Sequence, residues 1–319
     1  MNFRANIIDA DSRILPASLE APDMPLYLSA SYNQHYLGKV AELLEVSFKS
    51  TSHSILRGFI GRYGFEYASP FSAPFGGFWS TQGDPSWSDY RLLGKLFIEY
   101  LAAQKARECR LTLPSMCYDP NGISNQIKGL LLAGFCVDYV DVSHSLNIAL
   151  DFKSRLHRNG KRSLKNALTY DLLFTHCESD EANRRAYEII RVNRAQKKYD
   201  LKLSYEDIDS VKQFTTIDFF LVSVGGIDIA AAITYRVSAD IAQVIYWGHD
   251  VRFRQMNPVH FLAMNLSKFY KEKITLLDIG PSSIEGVSDD GLCRFKESLG
   301  CDISMKYTLS YRFADTESI

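Results

Sequence analysis

Two spacings of apolar residues alternate along this chain. From Trp87 to about Glu108 they recur at every third or fourth place. Leu92, Leu93, Leu96, Phe97 and Leu101 form one stripe, with Ser86 placed to cap, which predicts a helix. A second such pattern passes through Ile127 and Leu131, with Asn121 as the expected cap and Gly134 as its close. Around these, the period shortens. His53 to Pro70 is rich in β-branched and aromatic residues broken by glycine and reads as strand, turn, strand. The run CRLTLPS predicts a short buried strand, and FCVDYVDVSHSLNIAL gives further strand. The first 23 residues mix Asp, Pro and Ser and read as an irregular lead-in, after which MPLYLSASYNQ reads as strand and turn.

The second half repeats this grammar. Asp151 to Leu168 is basic and partly helical, DLLFTHCE is strand, and Ser179 opens a long helix through Ala186, Ile189 and Ile190. A shorter helix, SYEDIDSVKQF, precedes an antiparallel meander from Thr216 to Gly248. Its turns fall at Gly225-Gly226 and at Val237 to Asp240. Then come the helix from Asn257, the strand ITLLDIG, the helix SDDGLCRFKESLG and a last strand SMKYTLSYRF. In the first of these helices Val259, Leu262, Leu266 and Phe269 share a face. In the second, Leu292, Phe295 and Leu299 do, with Gly300 as C-cap. The fold class expected is α+β, in two similar halves, 1–150 and 151–319. A single large mixed domain is the alternative.

Composition narrows the field. The 319 residues are 46% hydrophobic and 23% charged, which excludes a mainly disordered or fibrous chain. With 36 Lys and Arg against 37 Asp and Glu, the formal charge is −1, which argues against a broadly basic nucleic-acid binder but not against a local basic patch. The longest apolar stretches, such as GLLLAGFCV, are too short to cross a bilayer. The six cysteines form no C-x-x-C pair and suit a reducing compartment. A cytoplasmic protein is expected, with a membrane-peripheral role left open. Histidine and cysteine spacings match no metal motif, so no metal site is expected.

The densest chemistry lies in QVIYWGHDVRFRQMNPVHF. A strand to Trp247 gives way to a loop, then Asn257 as N-cap and Pro258 as first helical residue. Amides left open at such a start can receive an anion, and Arg252 and Arg254 add charge beside it. The alternative is an ordinary capped helix behind a basic loop. His249 is a candidate general base; its neighbour Asp250 points to the other face of an extended strand, so the two are no automatic dyad. Asp278, among apolar strand residues, needs a partner or a cleft: it orients a substrate or caps the following loop through Ser282 or Ser283. Lys296 stands at the edge of its helix stripe, aimed at an anionic ligand or reaching to water. Lys153, Arg155, Arg158, Lys161, Arg162 and Lys165 make a basic run without the interleaved aromatics of a base-stacking platform. FSAPFGGFW shapes a cleft or makes a tight aromatic connection.

Four segments together carry a resemblance: SPFSAPFGGFW, FKSRLHRNGKRSLKNAL, NPVHFLAMNLSKFYKEKITLLDIGPSS and GLCRFKESLG. In that order they resemble the FemAB-like branch of the GNAT-fold acyltransferases, the relatives of peptidoglycan bridge-forming enzymes, over about residues 55–313. The resemblance implies two tandem GNAT-like halves, each a mixed, mainly antiparallel sheet flanked by helices, with a donor site in the second. It sets Asn257 and Pro258 below the donor phosphates. Asp278, Gly280, Phe295 and Lys296 fall at characteristic C-terminal positions. The chain departs from the pattern in two places. DVRFRQM replaces the glycine-rich GNAT donor loop, and the middle motif reads Asp278-Ile279-Gly280 rather than Asp-Phe-Gly.

The function expected is therefore N-acyl transfer from acetyl-CoA or another acyl-CoA to the amine of a small molecule, amino sugar or cell-envelope precursor. His249 or Asp278 would act as base, and Arg252, Arg254, Asn257, Pro258 and Lys296 would hold the donor. The alternatives are an aminoacyl-tRNA-dependent transferase, with the basic run 153–165 meeting tRNA, and a non-catalytic binding protein on a degenerate transferase fold. No long charged heptad segment suggests the helical arm of some bridge-forming enzymes, which counts against the tRNA donor.

Overall fold

The computed structural model describes residues 2–8, 24–50 and 53–314. They fall into two compact units. The first takes the described residues up to Val142, residues 285–287 and those from Ser304 onward; the second takes Ser143–Ile284 and Ser288–Ile303. Strand β7 (Cys136–Asn147) changes unit at Val142.

In the first unit the strand order is β1 (Asn2–Ile8), β2 (Glu42–Lys49), β3 (Ile55–Tyr63), β4 (Glu66–Ser69), β6 (Glu108–Ser115), β15 (Asp302–Arg312) and the early part of β7, with β5 (Phe78–Gln82) pairing with β3. Only β4 and β6 run parallel among its registered pairs. Helix α2 (Trp87–Ala103) joins those two, as a parallel pair requires. Ser86 and Asp89 close a capping box at its start. Leu93, Phe97 and Leu101 of α2 pack with Leu44, Val46 and Phe48 of β2 in one core.

The pairing of β4 with β6 ends at Ser69 and Leu111. Beyond it the chain's own segment 75–77 takes over: Gly76 N donates to Thr112 O at 2.8 Å. Ser69 Oγ accepts from Gly77 N and donates to Phe59 O. The Gln126 amide, on α3 (Pro120–Ala133), holds both backbone groups of Phe78 at 2.9 and 2.8 Å. A Cβ on Gly76 would lie 2.3 Å from Ser69 Oγ, and one on Gly77 2.6 Å from Leu113, so only glycine fits. Phe75 stacks edge-on with Tyr27 and Tyr118. FSAPFGGFW is thus a tight aromatic connection.

The second unit repeats the plan. Its order is the later part of β7, β12 (Leu276–Pro281), β11 (Ile241–His249), β10 (Ile227–Arg236), β9 (Ile217–Val224) and β8 (Leu173–Cys177). Again one pair is parallel, β11 with β12, joined through α8 (Pro258–Tyr270), and its other pairs are antiparallel. Leu262 and Leu266 of α8 sit in a core with Phe220, Ala230 and Leu277 from the sheet. Helices α4 (Phe152–Arg155), α5 (Arg158–Ala167), α6 (Asp180–Gln196), α7 (Tyr205–Ser210) and α9 (Asp290–Ser298) flank it. A two-residue ribbon, β13 (Ser283–Ile284) with β14 (Val287–Ser288), precedes α9. Each unit is therefore a mixed, mainly antiparallel sheet with helices around it.

Several local expectations differ from the structure. Residues 2–8 are a strand paired along β2 rather than irregular lead-in; residues 9–23 of that lead-in lie outside the described residues. MPLYLSASYNQ is helical, a 3-10 turn at Leu26–Leu28 and then α1 (Ala30–His35), because Ser29 caps by accepting from Tyr32 N. Asp119, not Asn121, caps α3, since Pro120 takes the first helical place. Helix α2 ends at Ala103, where positive-φ Lys105 turns the chain into β6.

Helix α5 lies so close to α9 that a Cβ on Gly160 would fall 1.9 Å from Ser298 O. Gly160→Ala is expected to cost about 1–3 kcal/mol, read as a lower urea midpoint; an unchanged midpoint would mean this approach is not held in solution.

Candidate functional site

The second unit's parallel pair is short. Strands β11 and β12 share three rungs, the last joining Gln243 and Asp278, although β11 runs on to His249 and β12 to Pro281. Just past that rung each strand carries an extra residue. The β10 register skips Ile245, and the β7 register skips Ile279. A bulge bends its strand and sharpens local twist, so two at one level turn the strands apart. Among the described residues, no backbone pairing joins 244–249 to 279–281. The result is a split in the sheet.

The rung at the base of the split is polar. Gln243 Nε2 donates to Asp278 Oδ2 at 2.6 Å, and Gly280 N donates to Oδ1 at 2.7 Å. Asp278 is only 2% exposed, and these bonds replace the water that a buried carboxylate loses. Asp278 thus accepts from the backbone of Gly280, two residues on. Gly280 has φ +80, and a Cβ there would meet nothing within 4 Å. The fold demands glycine for its backbone and leaves open space beside it.

Lys296 neither reaches water nor points freely at a ligand. It is the most deeply buried residue of α9, at 2% exposure, and its Nζ donates to Gly280 O and Pro281 O at 2.8 Å each. Burial brings its pKa down to about 8, against the opposing pull of the Asp278 carboxylate. Beside it on β7, His144 is fully buried, its Nδ1 3.0 Å from Ser282 Oγ and its Nε2 without a hydrogen-bond partner. Burial and the Lys296 charge lower the His144 pKa to about 4.

His249 ends β11, where its carbonyl accepts from Asn193 Nδ2 at 2.6 Å. Burial, with Lys197 and Arg254 nearby, lowers its pKa to about 4, so the imidazole is neutral at neutral pH. Lys197 itself is pushed down by desolvation of its ammonium end and by Arg194 and Arg254. Arg194 lies 5.3 Å from the Tyr246 ring, and its charge is felt at both Lys197 and Lys296. Sequence reasoning missed Asn193, Arg194, Lys197, Gln243 and His144, and named Ser282 only as a loop cap for Asp278. Only Gln243 and His144 had a signal, each a polar residue inside an apolar strand.

The remaining candidates are placed as follows. Arg252 is held by Asp250 through three guanidinium contacts of 2.6–3.1 Å. Arg254 is exposed. Asn257 takes a left-handed conformation, φ 51 and ψ 46, and caps α8 through its carbonyl rather than its side chain. That carbonyl accepts from His260 N at 3.1 Å and Phe261 N at 3.5 Å. Pro258 is the first helical residue, as expected, and has no N–H to offer. The helix start is thus poorer in open amides than its sequence suggests. Among the described residues, no group of His, Cys, Asp and Glu could hold a metal ion, and no helix is long and apolar enough to cross a membrane.

No protein-family model matches the chain, and no curated protein matches it by sequence. Solved structures do match. FemX aligns at a TM-score of 0.66 and 12% identity over 92% of this chain and 94% of that one. L-PGS from Bacillus licheniformis aligns at 0.56 and 11%, over 89% and 88%. A tandem GNAT protein from the clavulanic acid biosynthesis pathway, solved without AcCoA, aligns at 0.50 and 11%, over 86% and 84%. At such identities the likeness is one of fold.

Burial of His144 makes stability depend on pH. Its unfolded imidazole takes a proton below about 6.5, the folded one only below about 4. Between those values the unfolded state holds more protons, so stability falls as pH drops from 6.5 to 4. The contribution is about 3 kcal/mol. His144→Gln should make this part of a urea-midpoint-against-pH curve less steep, with His249 and His260 supplying the slope that remains; a curve of unchanged slope would refute the assignment.

Proposed function

We propose, on the premise that this chain carries the FemAB-like form of the GNAT fold, that its second unit transfers an acyl group to an amine. The observation that supports this is the split between β11 and β12, with Asp278 fixed at its base. A donor carbonyl laid there meets strand amides of residues 244–249 that β12 no longer engages. Such donors stabilise the oxygen charge that develops in acyl transfer.

The reaction is direct attack. The neutral amine forms a bond to the carbonyl carbon, the carbon–sulfur bond of a thioester breaks, and the proton from nitrogen passes to a base and then to the departing sulfur. His249 is the proposed base: with its pKa near 4 it stays unprotonated at neutral pH and can accept from the strongly acidic nitrogen of the adduct. Asp278, already engaged by Gln243 and Gly280, is proposed to orient the split rather than take the proton directly. Lys296 holds the Gly280 and Pro281 carbonyls and sets that corner of the site. Arg194, Lys197 and Arg254 offer the positive charge for an anionic donor or acceptor. The acceptor proposed is the amine of a small molecule, amino sugar or cell-envelope precursor.

The donor proposed first is acetyl-CoA or another acyl-CoA. One observation favours a second reading, an aminoacyl-tRNA ester. Pro258 and the bonded amides of His260 and Phe261 leave little at the start of α8 for a pyrophosphate.

Calorimetric titration of the folded protein with acetyl-CoA and a long-chain acyl-CoA, and separately with aminoacyl-tRNA, decides between the donors; heat with none of them would reject transfer. With the active donor, His249→Ala is expected to lower kcat by about 10²–10⁴. The acidic limb assigned to His249 should lie near pH 4 rather than 6.5. A limb near 6.5, or full activity in His249→Ala, would remove His249 as base.

A further inference from the structure

Helix α5 carries a charge pattern that the proposed acyl-transfer site at the β11–β12 split does not use. Arg158, Lys161, Arg162 and Lys165 stand at spacings of three, one and three, which places them on one helical face. All four are exposed. None makes an ion pair among the described residues, whereas Arg155, just before, is tied to Asp302. From Phe152 to Tyr170 the chain contains no acidic residue. The opposite face of α5, with Gly160, Leu164 and Ala167, is buried. The helix is fixed at both ends: His157 N donates to Ser298 O, and Asn166 Nδ2 donates to Gln255 O at 2.7 Å. The cationic face is therefore preformed.

A leucine stands exposed at each end of this segment, Leu150 at 48% and Leu168 at 49%. Leu168 follows Lys161 and Lys165 on the same helical face, and Leu150 precedes the basic segment; exposed aliphatic side chains together with unpaired cations suit one kind of surface. The ammonium and guanidinium groups meet lipid phosphates while the leucines enter the acyl boundary. A nucleic acid would gain from the cations but has no use for the leucines. No exposed aromatic ring lies on this face for a base to stack on: Phe152 is buried and Tyr170 half-buried.

We propose that the exposed face of α5, with Leu150 and Leu168, docks this protein on an anionic phospholipid bilayer. This stands apart from the acyl-transfer reading and survives if that reading fails.

The test is flotation of the full chain with vesicles of phosphatidylcholine alone and with phosphatidylcholine containing phosphatidylglycerol, at low and high salt. Binding is expected only to the anionic vesicles, and it should weaken with salt. The double variant Lys161→Glu, Arg162→Glu should lose at least about 25-fold in partitioning, since the loss of each cation near an anionic surface costs about five-fold and each glutamate adds repulsion. Leu150→Ser with Leu168→Ser should weaken binding while keeping the salt dependence. The altered side chains are exposed, so unfolding is not expected, and a thermal melt of each variant confirms it. No binding of the wild-type chain to anionic vesicles, or equal binding by the charge variant, overturns the proposal. So does displacement from vesicles by duplex RNA that the charge variant no longer binds, which would assign the face to nucleic acid. Loss of vesicle binding with intact transfer to a soluble amine would separate the two readings.

Discussion

A single side-chain bond decides where the second unit's sheet stops being a sheet. Gln243 and Asp278 face each other on the last shared rung of β11 and β12, and the 2.6 Å contact between them ties the strands at the level where both bulge. Above it the strands diverge; below it they are held by ordinary parallel pairing. Asp278 is almost fully buried, so its charge must be met from inside the protein. Gln243 and the Gly280 amide meet it, and Lys296 arrives at the neighbouring carbonyls from α9. Strand, turn and helix are thereby joined through one carboxylate. Truncating Gln243 would remove one of the hydrogen bonds that meet this buried carboxylate, a loss of about 1.5–3 kcal/mol for a bond to a charged group.

Much of this architecture was readable from residue order alone. The meander from Thr216, the helix starting at Pro258 and the capping of α6 by Ser179 follow from alternation, periodicity and capping chemistry, which are local. The FemAB-like resemblance agrees with the fold likeness to FemX. Part of what escaped the sequence was non-local. Nothing near Lys296 in the chain announces that it will bind the carbonyls of residues 280 and 281, because that contact depends on how α9 returns across β12. Arg252 looked available beside Arg254, yet Asp250, two residues earlier, holds it. Asn257 has the right side chain for a cap but adopts a left-handed backbone and uses its carbonyl instead. Residue type indicated a helix start correctly and misstated which atoms would be free there.

The polar core of the second unit is also unusual in its protonation. His144, His249 and His260 are all held near a pKa of 4, chiefly by burial. Lys296 is lowered as well. The burial that keeps these three imidazoles neutral also surrounds them with a low dielectric, in which charge is strongly felt. Burial that costs stability in acid is the same burial that sharpens electrostatics around the split.

The first unit repeats the sheet plan of the second but ends its parallel pair differently. Where β11 and β12 part, the first unit's β4 is succeeded by the backbone at Gly76 and Gly77, bonded to Thr112 and Ser69 and clasped by Gln126. Two glycines, chosen because nothing larger fits, have made the chain its own occupant there. The duplication of a scaffold thus need not duplicate its opening: on the proposed reading of the β11–β12 split, a molecule built twice over would count to one in a saturation measurement.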